Sequence, residues 1–228
     1  HIELQPSGAS YTATSTEFLN GVPLPLTDLT FGAKGAMYFT TGGRRLESGL
    51  YRVWSEKNDQ KEEKETVTKT LELRKLLDSY HDTSLIADYN LIWENIGHKD
   101  RYIAYSARIA LENHGIQIWA SRINSDTEFN KKVEYALAVA RSNNNTLQEH
   151  LFNLLSQVES TQLTPSEQLN ILRAEALLII RNKDLNTEIL ENQWLPIFPS
   201  KNQFINEELA TLFNDTKNSI WVDKIMTL

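Results

Sequence analysis

The 228-residue sequence contains no cysteine and no long apolar run. The lack of thiols excludes disulfides, covalent c-type haem attachment and thiolate metal sites within this chain. A membrane-spanning helix needs roughly 18 consecutive apolar residues, and no run approaches that length. Acidic residues outnumber basic ones, for a formal net charge of −7, whereas a nucleic-acid interface needs a basic patch. We therefore expect no nucleic-acid partner and no transmembrane segment.

The two ends of the sequence have the character of internal segments. The chain begins His1–Gln5 without Met, and it ends in Trp221–Leu228, whose apolar residues are spaced as on an amphipathic helix with no cap after it. We expect this chain to be a fragment of a longer polypeptide. The fragment carries 40% hydrophobic and 23% charged residues, which is typical of ordinary globular proteins.

Residues 1–55 have the pattern of β-structure. Short runs of β-branched and aromatic residues alternate with Gly, Pro, Ser and Asn. The predicted strands are Ile2–Leu4, Tyr11–Phe18, Leu26–Phe31, Ala36–Thr41 and Gly49–Trp54. Short glycine-containing turns join the last three, which predicts an antiparallel meander of the length of one propeller blade. Five strands cannot close a propeller, so most of one would lie upstream.

Helical periodicity replaces the β-pattern after a charged segment. Residues 56–65 contain eight charged residues, so we predict a solvated linker at 56–66. Residues 67–228 form apolar stripes of helical spacing joined by short links, which is typical of stacked helix pairs. One stripe starts at Leu85, and we expect another helix to start at Asp126. Asp100 is placed to cap a helix whose face carries small residues, and Thr164–Glu167 has the pattern of a capping box with Pro165 at the first helical position.

Two parts of the sequence resemble known families. The segment Pro25–Arg44, followed by Gly49–Val53, resembles the closing blade of sorbosone/glucose-dehydrogenase-like β-propellers. Asp100–Glu112 resembles a HEAT repeat, and Leu195–Ala210 is similar to a segment of the same family context. The order of the two parts is similar to that of large exported bacterial proteins known as membrane-bound dehydrogenases or haem-binding proteins.

The resemblance implies an α+β fold, with a short antiparallel β-meander (residues 1–55) followed by an all-α HEAT-like α-solenoid (residues 67–228). It also implies a periplasmic or extracellular parent protein that oxidises a sugar-like substrate with PQQ or haem. The haem motif Cys-x-x-Cys-His is absent, so we place no cofactor in this fragment. Its expected partners are the remaining propeller and a downstream domain of the same polypeptide, together with a protein partner.

The candidate ligand-facing residues are Asp28 and the pair Arg44 and Arg45. Asp28 lies on the predicted innermost strand, and Gly42–Arg45 could present backbone N–H groups and two guanidinium groups to an anion. The alternatives are a strand-edge hydrogen bond for Asp28 and a plain β-turn with a flanking salt bridge for the arginines. No two histidines have metal-ligand spacing, so we predict neither a metal site nor a catalytic residue.

The composition and the order of the two parts favour a non-catalytic scaffold or interaction segment of a larger exported protein. One alternative is that the segment completes the active-site propeller of a PQQ-type sugar dehydrogenase. Another is a stand-alone solenoid that binds a peptide or a glycan.

Overall fold

The computed structural model describes residues 1–32, 35–56 and 67–216 and divides the chain into two compact units. The β unit comprises His1–Ser7 and residues 11–67, and the helical unit comprises Gly8–Ser10 and the chain from Thr68 onward. Antiparallel sheets together with α-helices confirm the predicted α+β class. The predicted linker beyond Glu56 and the predicted helix at residues 220–228 lie outside the described residues.

Two small antiparallel sheets are formed by the first part of the chain. The strands are β1 (Ile2–Ser7), β2 (Ser10–Ser15), β3 (Leu26–Phe31), β4 (Met37–Gly43) and β5 (Leu46–Val53). Strands β1 and β2 pair with each other, and β3, β4 and β5 form the predicted meander in the order β3-β4-β5. The meander carries two register shifts, one on β3 and one near the β4–β5 turn. Both are irregularities of the kind found at sheet edges and turns.

Eight α-helices lie in the described part of the helical unit. They are α1 (Lys69–Ser79), α2 (Tyr89–Asn95), α3 (Arg101–Asn113), α4 (Phe129–Ala140), α5 (Asn145–Ser156), α6 (Pro165–Arg181), α7 (Ile189–Trp194) and α8 (Gln203–Thr216), with 3₁₀ helices at Ile116–Arg122, Ser160–Gln162 and Leu195–Ile197.

Two helices begin later than their apolar stripes suggest. The stripe that starts at Leu85 becomes helical only after Asp88, whose carboxylate accepts hydrogen bonds from the N–H groups of Asn90 and Leu91. The helix expected from Asp126 begins at Phe129, because Asn124 and Thr127 bond each other in a turn. In both cases short polar side chains compete with the helix for backbone N–H groups.

The helices of the helical unit are arranged in two rows. Helices α1, α3, α4, α6 and α8 contact one another in that order and form the first row. The 3₁₀ helix Ile116–Arg122 and helices α2, α5 and α7 alternate with them along the chain and pack against them. Because each helix contacts its neighbours along the row, the apolar core is continuous from one end of the array to the other.

Helix α3 shows why these sequences form closely packed helices. Asp100 caps its first turn by accepting a hydrogen bond from the N–H of Tyr102, as predicted. Its small residues Ser106, Ala107 and Ala110 are at most 1% exposed, which confirms that this face closely approaches its neighbours. Helix α6 has the predicted capping box between Thr164 and Glu167.

Candidate functional site

The β unit contains an open apolar cleft with a volume of about 950 Å³. Its walls come from the start of β1, the segment after β2 and one face of the β3-β4-β5 sheet. The volume lies at the upper end of the range found for ligand sites. The apolar residues that line the cleft are Ile2, Phe18, Leu19, Leu24, Leu26, Leu29, Phe31, Met37, Phe39, Val53 and Trp54.

The register of the sheet explains the sheet side of the cleft. Leu29 pairs with Phe39, which in turn pairs with Tyr51, and the rings of Phe39 and Tyr51 stack at 5.1 Å between centroids. Phe31 pairs with Met37 in the next row of the same face, because side chains two residues apart on a strand share a face. The cleft is therefore lined by a regular apolar surface rather than by scattered residues.

Most of this surface is open to solvent. Phe31 is 70% exposed, Phe18 62% and Leu26 55%. Among the described residues of the β unit, only Ala36, Phe39 and Thr41 are fully buried. A sheet needs a hydrophobic face packed on another layer to be stable. One face of the sheet therefore exposes apolar side chains that the rest of the β unit does not cover.

The polar atoms around the cleft are few. The N-terminal ammonium group of His1 donates a hydrogen bond to the carbonyl of Thr16 at 2.9 Å, and the N–H of Thr16 donates to the carbonyl of His1 at 2.9 Å. The other polar lining residues are Glu17 and Ser55. Polar side chains therefore make up a small part of the lining among the described residues.

The three residues predicted to face a ligand are not brought together in the cleft. Asp28 is exposed on β3, and its Oδ1 accepts a hydrogen bond from the N–H of Leu29 at 2.8 Å. Arg44 and Arg45 are exposed in the β4–β5 turn, where Arg45 has a φ of 69°. Asp28 pairs with Thr40, so the turn begins about 10 Å further along β4. None of the three lines the cleft.

Arg52, which pairs with Tyr38 on the opposite face of the sheet, makes cation–π contacts with Tyr38 and with Trp54, which follows β5 and also lines the cleft. The guanidinium carbon of Arg52 lies 5.1 Å from the ring centroid of Trp54 and 5.8 Å from that of Tyr38. Such cation–π contacts contribute about 0.5–1 kcal/mol at exposed sites.

The helical unit holds an anchored tripeptide that the sequence analysis did not predict. The N–H of Ala9 donates to Asp100 Oδ2 at 2.8 Å, and Arg74 donates to the carbonyl of Ala9 at 3.0 Å. The hydroxyls of Thr68 and Thr70 both donate to the carbonyl of Gly8. Ala9 itself is fully buried, so Gly8–Ser10 is part of the helical core.

The pKa of Asp100 reflects its contact with the tripeptide Gly8–Ser10. Burial acts to raise the pKa of its carboxyl, but the N–H groups of Ala9, Tyr102 and Ile103 outweigh it and hold the pKa below its ordinary value. Asp100 and Ala9 are 91 residues apart. The sequence shows a glycine-containing turn and a helix cap, but no local pattern connects them.

A half-buried charge cluster joins helices α3 and α4. Arg108 lies 3.5 Å from a carboxylate oxygen of Glu134, and Arg141 lies 3.2 Å from one of Glu112. Burial raises the pKa of Glu134, opposed by the charge of Arg108. A third pair, Arg173 with Glu208 at 3.1 Å, joins α6 to α8. These pairs link neighbouring helices of the first row and fit a structural role.

Comparisons with known proteins place no family name on the chain. No family model, no curated protein and no solved structure matches it significantly. Within residues 1–32, 35–56 and 67–216, no group of three or more His, Asp or Glu side chains could hold a metal ion. None of the helices described there is both long enough and apolar enough to cross a membrane.

Proposed function

We propose that this chain is a non-catalytic interaction segment of a larger exported protein, and that its β unit is the closing part of a β-propeller. The observation that carries the proposal is the exposed apolar face of the β3-β4-β5 sheet. In the proposed assembly this face packs on further β-structure of the same polypeptide, which supplies the missing half of the core.

The energetics of the exposed face favour a permanent partner. Burying a large apolar side chain such as Phe31 or Leu29 is worth about 1.5–3 kcal/mol. Apolar side chains grouped on one exposed face, as on this sheet, are typical of interaction sites. Further β-structure fits because the apolar side chains lie in rows with the two-residue period of a sheet, and stacked sheets interdigitate such rows.

The strand count of the meander agrees with this assignment. Propeller blades have four antiparallel strands, and the described meander has three, with β3 and β5 at its edges. A fourth strand added to either edge would complete a blade and cover backbone N–H and C=O groups that sheet edges leave unpaired.

The helical unit is, in this proposal, a HEAT-like α-solenoid that holds a downstream domain or a protein partner. Its two rows of helices and its continuous core support this assignment, because repeat arrays bury their apolar faces only against neighbouring repeats. The parent protein would be a periplasmic or extracellular quinone- or haem-linked sugar dehydrogenase, with its cofactor bound outside this segment.

The exposure of the sheet face can be tested with the hydrophobic dye ANS. We expect the chain to bind ANS, and we expect Phe31→Ser to reduce the fluorescence at least several-fold. Leu50→Ser is the matched control, because Leu50 is 73% exposed but lies on the other face of the sheet. Absence of ANS binding, or an equal effect of both substitutions, would contradict the proposal.

The competing enzymatic hypothesis has a direct assay. The chain is incubated with PQQ, Ca²⁺, a panel of aldoses and ketoses and a redox dye. The interaction proposal expects no dye reduction above the protein-free background, because Asp28, Arg44 and Arg45 do not converge on the cleft. Turnover by the purified chain would defeat it.

A further inference from the structure

A carboxyl group is completely buried where helix α6 meets helix α7. Glu175 of α6 is 0% exposed. Its Oε2 accepts a hydrogen bond from Trp194 Nε1 of α7 at 2.8 Å, whereas its Oε1 has no hydrogen-bond partner among the described residues. A buried polar atom without a partner destabilises the folded state, so its presence requires an explanation.

The neighbouring side chain has the same deficit. Gln193 donates from Nε2 to the carbonyl of Leu155 at 3.0 Å, and its Oε1 has no partner in the described structure. The amide of Gln193 also interacts with the carboxyl of Glu175. The atoms that have no partner among the described residues, Glu175 Oε1 and Gln193 Oε1, are both acceptors when Glu175 is ionised. A proton on Glu175 supplies the donor that the pair lacks.

In the part of the chain that the structure describes, no charged group compensates a negative charge on Glu175. Burial raises its pKa to about 8, opposed by the hydrogen bonds from Trp194 and Gln193, and no neighbouring charge contributes. Several titratable side chains on the neighbouring helices bond other groups or are exposed to solvent. Tyr135 of α4 donates to the carbonyl of Ile116, Glu149 and His150 of α5 and Glu188 before α7 are exposed, Glu191 of α7 is half-buried, and Glu208 of α8 pairs with Arg173.

We infer that Glu175 carries a proton in the folded protein, that this proton joins α6 to α7, and that its loss at alkaline pH releases α7. A carboxylate in this apolar setting would be buried without a counter-ion, which is strongly unfavourable. The structure can relieve that cost by moving α7, a helix of six residues without a side-chain cap at its N-terminus.

The direction of the pH effect follows from the raised affinity for the proton. The folded state holds the proton to about pH 8, whereas the unfolded chain loses it near the ordinary value of 4.5. The contribution of Glu175 to the free energy of unfolding is therefore complete below about pH 4.5 and is lost as the pH rises to about 8. Between pH 6 and pH 9 the unfolding equilibrium constant should increase on the order of 100-fold from this group alone.

The test compares wild type with Glu175→Gln by urea unfolding at pH 6 and pH 9. Glutamine reproduces the donor and acceptor of the protonated carboxyl, so the variant should retain its stability at pH 9. Glu149→Gln is the control for removal of an exposed acid. We expect it to retain the wild-type pH dependence, since Glu149 is exposed on α5.

A second measurement does not depend on the stability of any variant. The wild-type protein is labelled with ¹³C at the glutamate side-chain carboxyls. One carboxyl resonance should keep the chemical shift of the protonated form at pH 7 and should titrate only at higher pH. The inference is overturned if every glutamate carboxyl is ionised at pH 7. It is equally overturned if Glu175→Gln and wild type lose the same stability between pH 6 and pH 9.

Discussion

Replacement of Gly8 by alanine probes the anchored tripeptide of the helical unit. Gly8 has a φ of +60°, and a Cβ built on it would lie 2.5 Å from Asp100 Oδ2. That oxygen accepts the hydrogen bond from the N–H of Ala9, while Oδ1 of the same carboxylate caps helix α3. Asp100 Oδ2 therefore cannot move away from the new Cβ without losing its hydrogen bond to Ala9 and disturbing the cap of α3.

The expected cost of Gly8→Ala has two parts. A left-handed backbone conformation costs a residue with a Cβ about 1 kcal/mol. Displacement of Asp100 weakens a charge-assisted hydrogen bond and a helix cap, which together are worth about 2 kcal/mol. We expect a total destabilisation of about 3 kcal/mol, or a decrease in Tm of about 6–12 °C for a chain of this size.

The measurement is urea unfolding followed by circular dichroism at 222 nm, with Gly21→Ala as the control. A Cβ on Gly21 meets its nearest neighbour at an ordinary 3.5 Å and Gly21 has no positive φ, so that change should cost less than about 0.5 kcal/mol. In an Asp100→Ala background, which lacks the clashing oxygen, Gly8→Ala should cost only about 1 kcal/mol. An undiminished cost in that background, or none in wild type, would refute the reasoning.

Two further substitutions test the helical array. Thr164→Ala removes the hydroxyl that bonds Glu167 in the capping box. We expect urea unfolding to show a destabilisation of about 1 kcal/mol. An unchanged unfolding midpoint would show that the capping box does not stabilise the N-terminus of α6. Ala107→Leu forces a larger side chain into a fully buried position on α3, and we expect a loss of about 1–3 kcal/mol by thermal unfolding. The control is Tyr105→Leu, at an exposed position of the same helix, which should change the stability little. Equal losses of stability at the two positions would contradict the packing of α3.

Local signals in the sequence account for most of the elements. Alternating and helical apolar periods predicted the meander and the order of the helices, and Asp100 and Thr164 cap helices as their side-chain chemistry requires. The predicted starts of helices were less accurate where a short polar side chain such as Asp88 caps the helix at a later residue. These errors arise because a side chain competes with the helix for the same backbone groups.

The residues predicted to face a ligand are different from those that line the cleft. Asp28, Arg44 and Arg45 were selected for their chemistry, yet they are exposed and do not line the apolar cleft. The residues that do line it, such as Phe18 and Phe31, are ordinary strand and loop residues by sequence. Nothing in a strand pattern tells which apolar face is covered, because burial depends on the layer packed against it.

By itself, the sequence determined the α+β class, the meander, the helix caps and the absence of thiol chemistry, since these depend on residues within a few positions of one another. Only the tertiary structure decided that Gly8–Ser10 joins the helical unit, that Glu175 is buried without a counter-charge, and that one face of the sheet stays open. Each of these depends on groups far apart in the chain, and their contact energies exist only once the chain has folded.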